Sequence, residues 1–335
     1  MRANRNWMVL AVLLLTVFAS ACGSNANKDA SPSESAGVSA SQGTASQPAS
    51  PEASSSSDAA AKKITDAKGR EVEVPTDPKR IVYVCSDPGD LLALGVRPVG
   101  ASLSVVGSQV AYGDQLQGIA DVGYPADLEK VTAQDPDLII FNDWDEQGLA
   151  PLEKIAPTVA IAENGGFDRM REVAGVLGKE AAADSYIAAY DEKVKQTKDL
   201  LAQKGKQGQS ATVLLLMGKV MYVMGHQGLS VSLYDALGYV PPAKVQSLID
   251  GGERFAEISV EVMSDYIGDE LYILKDEEEE TKAQAEALFT SSLWKSLPAV
   301  KTGQVHAMDS QWNFDDPVTR TMLLDELQRM NDSAG

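Results

Sequence analysis

Residues 179–203 constrain the fold more than any other part of this sequence. The segment contains no proline or glycine and is rich in Ala, Lys, Glu and Gln, which favour helix. Within it Ile187, Tyr190, Val194 and Leu201 recur at near-helical spacing. We therefore predict a single helix of roughly 37 Å at 1.5 Å per residue. Such a helix is long enough to connect two separate cores.

Strand and helix patterns alternate on both sides of that segment, as an α/β architecture requires. Before it, strands are predicted at 80–85, 98–101, 138–141 and 158–161, with helices around 91–94 and 128–133. After it, strands are predicted at 212–216, 221–224, 271–274 and 305–308, with helices near 231–237, from Ser259, through 283–288 and from Asp316.

The fold class predicted from this alternation is α/β, with two lobes joined by one long α-helix. We place the N-terminal lobe at 62–168, the linker helix region at 169–205 and the C-terminal lobe at 206–335. About 270 residues exceed what one hydrophobic core usually holds, which also favours two lobes.

The N-terminus has the pattern of a secretory signal. Arg2 and Arg5 precede an apolar run at 7–18, which is too short to span a bilayer, and small residues at 19–21 stand before Cys22. We assign 1–21 to a signal peptide. Residues 22–61 are dominated by serine and cannot bury enough apolar surface to fold, so a disordered tether is predicted there. The mature chain is expected outside the cytoplasm.

Charge and composition exclude several classes of protein. The net charge of −19 disfavours nucleic acid and anionic membrane as partners. The two histidines, His226 and His306, belong to no HExxH motif, and no Cys-x-x-Cys or Gly-x-Ser-x-Gly motif occurs. We therefore predict no catalytic residues, no metal site and no cofactor. Cys85 is interpreted as a small buried hydrophobe, with a reactive thiol as the alternative.

Several segments together resemble a known family. Their sequences are DLEKV at 127–131, DPDLII at 135–140, DALG at 235–238, FAEISVE at 255–261 and LPAVK at 297–301. In order and spacing they are similar to the iron-siderophore family of ABC-transporter substrate-binding lipoproteins. The resemblance implies an α/β fold of two Rossmann-like lobes joined by one long α-helix. The similarity covers nearly everything from Ile64 to Met330.

The resemblance implies an anchor and a docking surface. It implies that Cys22 carries a lipid, so that the membrane is contacted through this anchor only. It also implies that one exposed glutamate on each lobe, Glu129 and Glu261, pairs with arginines of an ABC permease. The alternative is that these glutamates are solvated or only favour a helix dipole.

Ligand-binding residues are expected between the lobes, since open α/β sheets leave a crevice at the carboxyl ends of their strands. Trp312 is the strongest candidate, and for each aromatic residue packing inside its own lobe is the alternative. Arg320 could reach a ligand or pair with a neighbouring carboxylate. The full set of candidates is Tyr112, Tyr124, Asn142, Trp144, Lys219, Phe255, Trp312 and Phe314.

These features predict a lipid-anchored monomeric receptor on the extracytoplasmic side of the cell membrane, which binds a ferric siderophore and delivers it to an ABC importer. Few cations lie in the candidate loops beside Asp143, Asp145, Glu146 and Asp315, so a hydroxamate-type chelate is favoured over an anionic triscatecholate. Iron is expected only as part of that ligand. A haem or cobalamin receptor and a surface-anchored hydrolase are the alternatives.

Overall fold

The computed structural model describes residues 60–84, 87–106, 109–142, 147–162 and 165–333. The predicted signal peptide, Cys22 and the tether up to residue 59 lie outside the described residues. Cys85 and Trp144 also lie outside them.

The described chain begins with an antiparallel hairpin of strands β1 (Ala61–Thr65) and β2 (Glu71–Pro75). Its turn is held by Asp66, whose carboxylate accepts hydrogen bonds from the backbone and side chain of Arg70. Burial alone would raise the pKa of Asp66, but these hydrogen bonds outweigh it and lower the pKa. The residue after Asp66 donates its backbone N–H to the carbonyl oxygen of Ala160 at 3.0 Å. The hairpin therefore covers the edge of the sheet that contains Ala160.

The first large sheet is entirely parallel, with strand order β5-β4-β3-β6-β7. A parallel sheet needs crossover connections, and short helices provide them here. The strands are β3 (Ile81–Val84), β4 (Gly100–Ala101), β5 (Ala120–Asp121), β6 (Leu138–Asn142) and β7 (Thr158–Ile161).

Both faces of this sheet are buried, which explains the continuous apolar run in β6. Leu138 and Ile140 face one hydrophobic core, which we call the first core, and Ile139 and Phe141 face a second cluster on the opposite side. All four side chains are at most 2% exposed. Full burial of one such side chain contributes about 2 kcal/mol.

Helices α1 to α5 cover the first sheet. Helix α3 begins and ends as the sequence predicts, and Asp127 caps it by accepting hydrogen bonds from the backbone N–H groups of Glu129 and Lys130. The helices are α1 (Gly89–Ala93), α2 (Leu103–Val106), α3 (Leu128–Ala133), α4 (Leu149–Leu152) and α5 (Gly166–Leu177).

The predicted long helix is present as α6 (Glu180–Gln203), 24 residues in length. Tyr186 and Ile187, in its first half, pack against the first core. Tyr190 and Leu201, further along, belong to the core of a second sheet. One helix thus contributes side chains to both cores.

The second sheet is mixed, with strand order β10-β9-β8-β11-β12. Strand β9 runs antiparallel to both neighbours, so β10 is parallel to β8, and β11 and β12 are parallel to β8 as well. The strands are β8 (Ala211–Met217), β9 (Val220–Met224), β10 (Phe255–Glu257), β11 (Glu270–Lys275) and β12 (Val305–Asp309).

The two sheets place their strands in the same spatial order along the chain. In each, the first strand is central, the next two extend to one side, and the last two extend to the other. Apart from the reversed direction of β9, the second sheet repeats the arrangement of the first. The predicted α/β class with two Rossmann-like halves is confirmed.

The second sheet also carries helices on both faces. Cores lie on both sides of β8, with Val213 and Leu215 facing one and Leu214 and Leu216 the other. We call the cluster that contains Val213 and Leu215 the second core. The helices are α7 (Leu229–Val231), α8 (Ala243–Asp250), α9 (Glu279–Thr290), α10 (Ser292–Ser296), α11 (Pro298–Lys301) and α12 (Pro317–Ser333).

One predicted helix is absent. The segment expected to start a helix at Ser259 instead forms a turn followed by a short 3-10 segment, Met263–Asp265. The hydroxyl of Ser259 is hydrogen-bonded to the side chain of Glu261. This local bond, in which the hydroxyl donates to the carboxylate, stabilises a turn at Ser259 in place of a helix start.

Helix α12 returns to the first half of the molecule. Val318, near its start, lies in the first core, whereas Leu323, Leu324 and Leu327 lie in the second core. Helix α5, which the sequence placed mostly in the linker region, packs Met170 and other residues into the first core. The last helix thus adds to both halves.

Candidate functional site

The segment from β12 to α12 lies at the junction between the two cores. Trp312 is 7% exposed and belongs to the second core, whereas Phe314 packs against the first. From the first half, Tyr112 lies in the first core and its neighbour Ala111 packs against the second. These loops bring Tyr112, Trp312 and Phe314 to the same junction.

Tyr112 and Trp312 are nearly buried, at 1% and 7% exposure. Their positions match the alternative of packing inside a core. Burial, followed by the nearby carboxylates of Asp316 and Asp87, raises the pKa of the Tyr112 hydroxyl. The neutral phenol is therefore the form present at neutral pH.

A buried group of charges lies beside this junction. Arg169 of α5 donates hydrogen bonds to Asp90 at 2.5 Å and to Asp87 at 3.1 Å. Tyr83 donates its hydroxyl to the same Asp90 oxygen at 2.6 Å. The sequence analysis did not predict this group. Its signal would have been an arginine on the apolar face of α5 together with two aspartates three residues apart.

Asp316 joins the same group from the start of α12. Its carboxylate caps the helix by accepting hydrogen bonds from the backbone N–H groups of Val318 and Thr319, both at 3.0 Å. Asp316 is fully buried, and a side chain at Gly89 would collide with it. Burial, followed by the charge of Asp87, raises the pKa of Asp316 to about 7.

Arg320 is paired with a neighbouring carboxylate. It donates from Nε to Asp315 at 2.6 Å, and its guanidinium lies 5.5 Å from the centre of the Phe167 ring. Phe167 in turn contacts the Tyr190 ring at 4.6 Å. The interpretation that Arg320 pairs with a carboxylate is confirmed. The pair also compensates the charge of Asp315 at the junction.

Two further candidates lie at the carboxyl ends of strands in the first sheet. Asn142 is the last residue of β6 and is 3% exposed. Tyr124 follows β5 and is 46% exposed. Both positions agree with a site at that edge of the sheet. The neighbouring candidate Trp144 lies outside the described residues, as do Asp143, Asp145 and Glu146.

Lys219 and Phe255 occupy different parts of the second sheet. Lys219 lies in the tight turn after β8, is largely exposed and pairs with Glu280 at 3.0 Å. The sequence predicts Phe255 in a loop that reaches the crevice between the lobes. It is instead the first residue of β10, and its ring contacts the Tyr222 ring at 5.5 Å, edge to face. The expected loop position of Phe255 is wrong, because the residues that follow it pair with β9.

Glu129 and Glu261 occupy equivalent places in the two halves. Strand β5 is the outermost strand of the first sheet and β10 that of the second, and each glutamate follows the carboxyl end of that strand. Glu129 is exposed in the first turn of α3, where its charge favours the helix dipole. Glu261 is exposed in a turn. Its hydrogen bond with Ser259 lowers its pKa, so it remains ionised.

The described residues offer little that could support catalysis or hold a metal ion. No group of three or more His, Cys, Asp or Glu side chains able to bind a metal occurs among them. His226 pairs with Asp235 at 2.8 Å, and His306 pairs with the buried Glu270 at 2.5 Å. Over the same ranges, no helix has the length and apolarity needed to cross a membrane.

Comparison with known proteins agrees with this architecture. Residues 82–312 match the family model described as periplasmic binding protein. The iron(3+)-hydroxamate-binding protein FhuD of Bacillus subtilis is 32% identical over 263 residues, covering 76% of this chain and 81% of that protein. The probable siderophore-binding lipoprotein YfiY of the same organism is 30% identical, covering 77% of this chain and 84% of that protein.

A solved structure shows the same fold. The structure of Staphylococcus aureus SirA complexed with staphyloferrin B superposes with a TM-score of 0.70 at 25% identity, covering 81% of this chain and 98% of that chain. This fold and the junction between two equivalent sheets define a class of bilobed substrate-binding protein. The chain belongs to the periplasmic binding protein family, and its resemblance to the siderophore-binding members is confirmed. It is a substrate-binding protein and not an enzyme.

Proposed function

We propose that this chain is a lipid-anchored extracytoplasmic receptor that binds a ferric hydroxamate siderophore and delivers it to an ABC importer. The observation that carries the proposal is the pair of equivalent sheets. Their cores meet at a junction with aromatic side chains, and each sheet carries one exposed glutamate beyond its outermost strand. A ligand between the sheets would contact both halves, and a partner protein could bind both glutamates at the same time.

The charges at the junction favour a ligand without strong negative charge. Arg320 is already paired with Asp315, and Arg169 is shared by Asp87 and Asp90. A triscatecholate complex would need several uncommitted cations. A neutral or cationic hydroxamate complex would not, and the FhuD relative is named for that class of ligand.

The location follows from the leader and its resemblance to lipoprotein signals. Residues 1–21 would be removed, and the thiol of Cys22 would carry the lipid. The name of the YfiY relative as a lipoprotein supports this assignment. The serine-rich tether would then reach about 35 Å on average, which keeps the folded part near the membrane.

Docking on the permease is assigned to Glu129 and Glu261. Both are exposed, and they occupy equivalent positions on the two sheets. A pair of basic residues on the extracytoplasmic side of the permease would complement them.

Intrinsic tryptophan fluorescence tests the ligand class. The purified chain is titrated with a ferric trihydroxamate, a ferric triscatecholate, haem and cobalamin, with the metal-free chelators as controls. We expect saturable quenching at one equivalent of the ferric trihydroxamate and tighter binding of it than of the other three. Preference for the triscatecholate would overturn the proposed ligand class, and preference for haem or cobalamin would identify a receptor for that ligand instead.

A further inference from the structure

Among the residues that the structure describes, most exposed large apolar side chains lie on the segments that carry the two docking glutamates or near the strands next to them. Within the described ranges seven large apolar residues are largely exposed, and single exposed residues of this kind need no explanation. Five of the seven, however, fall into two groups. The first patch consists of Tyr124, Leu128 and Glu129, and the second patch of Met217, Val260, Glu261 and Val262.

The first patch is held in place by the start of α3. The backbone N–H of Asp127 donates to the carbonyl of Val122 at 2.8 Å, which closes the turn that carries Tyr124. The carboxylate of Asp127 then caps the helix on which Leu128 and Glu129 are the first two residues. Tyr124 is 46% and Leu128 42% exposed. The backbone thus holds two exposed apolar side chains on the same segment as Glu129.

The second patch is fixed by strand β9. The backbone N–H of Ile258 donates to the carbonyl of Met221 at 2.9 Å, so the turn that carries Glu261 begins alongside β9. Val260 is 40% and Val262 42% exposed, on either side of Glu261. Met217, 52% exposed, lies opposite Val220 at the end of β8.

A groove of about 360 Å³ opens beside the second patch. Its walls combine apolar surface with hydrogen-bonding groups, which suits a long basic side chain with an aliphatic stem. Its lining includes Val220, Met221, Glu257, Val260 and Lys219. The ammonium of Lys219 is paired with Glu280 at 3.0 Å, which offsets its charge at the groove.

We propose that the two patches are apolar contact surfaces for the permease, each enclosing an ion pair between its glutamate and a basic permease residue. This inference rests on the proposed function and extends it from two charges to two surfaces. An apolar rim that excludes water strengthens the central ion pair and protects it from salt. The equivalence of the two patches fits a partner that presents two similar extracytoplasmic surfaces, one for each sheet.

The charges on the patches argue against two other occupants. A second copy of this chain would bring further carboxylates against Glu129 or Glu261, and like charges in one interface cost free energy. An anionic membrane surface would be repelled in the same way. A basic protein surface with apolar flanks is complementary to both patches.

Iron uptake by cells provides the test. The chromosomal copy is replaced by full-length variants Leu128→Ser or Val260→Ser with Val262→Ser, and uptake of radioactive iron from a ferric trihydroxamate is measured. Purified forms of the same variants are titrated with that chelate. The matched control is Val240→Ser, because Val240 is 51% exposed but lies by Ser210, at the opposite end of β8 from Met217.

We expect uptake to fall about fivefold or more in the patch variants, with chelate affinity and melting temperature unchanged, and to remain normal in the control. Normal uptake in the patch variants would overturn the inference. So would a dimer of the purified wild-type chain that the patch substitutions dissociate in sedimentation, because the patches would then bind a second copy. Failure of the wild-type chain to bind any of the four ligands would instead overturn the proposed function, and the inference with it.

Discussion

Two aspartates share one arginine in the interior of this protein, and a third aspartate lies near them. Arg169 is bonded to Asp87 and Asp90, and Asp316 lies close enough for the charge of Asp87 to act on it. If all three carboxyl groups were ionised, the buried group would carry excess negative charge, which is costly away from water. Burial and Asp87 therefore raise the pKa of Asp316 to about 7.

Asp316 should make stability depend on pH in a defined window. Because its pKa is higher in the folded state than the ordinary value of 3.8, folding takes up a proton between pH 3.8 and about 7. The stability due to this proton is present below pH 3.8 and is lost as the pH rises to about 7. The variant Asp316→Asn keeps a capping oxygen without the titration.

Urea unfolding at several pH values measures this contribution. We expect the free energy of unfolding of the wild type, relative to Asp316→Asn, to decrease from pH 4 to pH 7 and to stay constant above. A difference between the two proteins that does not change with pH would contradict this explanation.

The candidate ligand residues show what a single sequence can predict at this scale. An aromatic residue in a loop has the same pattern whether it packs inside or faces a ligand, and Tyr112 and Trp312 are nearly buried. Arg320 could be interpreted correctly, since Asp315 is close to it in sequence. The Arg169 group could not, because Asp90 and Asp87 lie 79 and 82 residues earlier in the chain.

At the scale of elements, α6 and α12 lie side by side and link the two cores. Lys193 of α6 pairs with Asp325 of α12 at 2.6 Å, and Tyr186 donates its hydroxyl to Thr321 at 3.1 Å. Further along the two helices, the side-chain amide of Gln328 donates to the buried hydroxyl of Thr197 at 2.7 Å. A long helix resists bending, so we expect only modest closure of the two halves on ligand binding.

The hydroxyl of Thr197 should therefore contribute more to the free energy of unfolding than the hydroxyl of an exposed threonine in a helix. Thr197→Val removes the hydroxyl that accepts from Gln328 and leaves that amide without this partner, at a cost of about 1–2 kcal/mol. Thr290→Val is the matched control, because each threonine donates its hydroxyl to the carbonyl four residues earlier, at 2.9 Å, but Thr290 is exposed. It should change stability by less than about 0.5 kcal/mol. Equal effects of the two substitutions on the free energy of unfolding would contradict the assigned contact.

Elements with strong local signals could be predicted, whereas those fixed by distant partners could not. Helices α3 and α6 and strand β7 lie where propensity, capping and apolar pattern place them. The hairpin β1–β2 alternates only weakly apolar residues with charged ones, and it is held by contacts with β7 far along the chain. The segment at Ser259 has the sequence pattern of a capped helix, but it forms a turn in which the side chains of Ser259 and Glu261 are hydrogen-bonded.

At the scale of the whole molecule, two sheets of the same order are joined by helices that belong to both cores. Each half supplies one face of the junction and one of the two glutamates proposed for docking, Glu129 or Glu261. Neither half alone would enclose a bulky ligand or present two docking points. Under the proposed function, binding and delivery would therefore depend on both halves together.

The central claim is that one ferric chelate is held between the two sheets. A crystal structure of the chain with a ferric trihydroxamate, with diffraction data collected at the iron absorption edge, tests it most directly. We predict a single anomalous peak at the carboxyl ends of the strands, with chelate atoms in contact with residues from both halves. A peak that contacts only one half, or crystals grown with saturating chelate that contain no iron, would contradict the account.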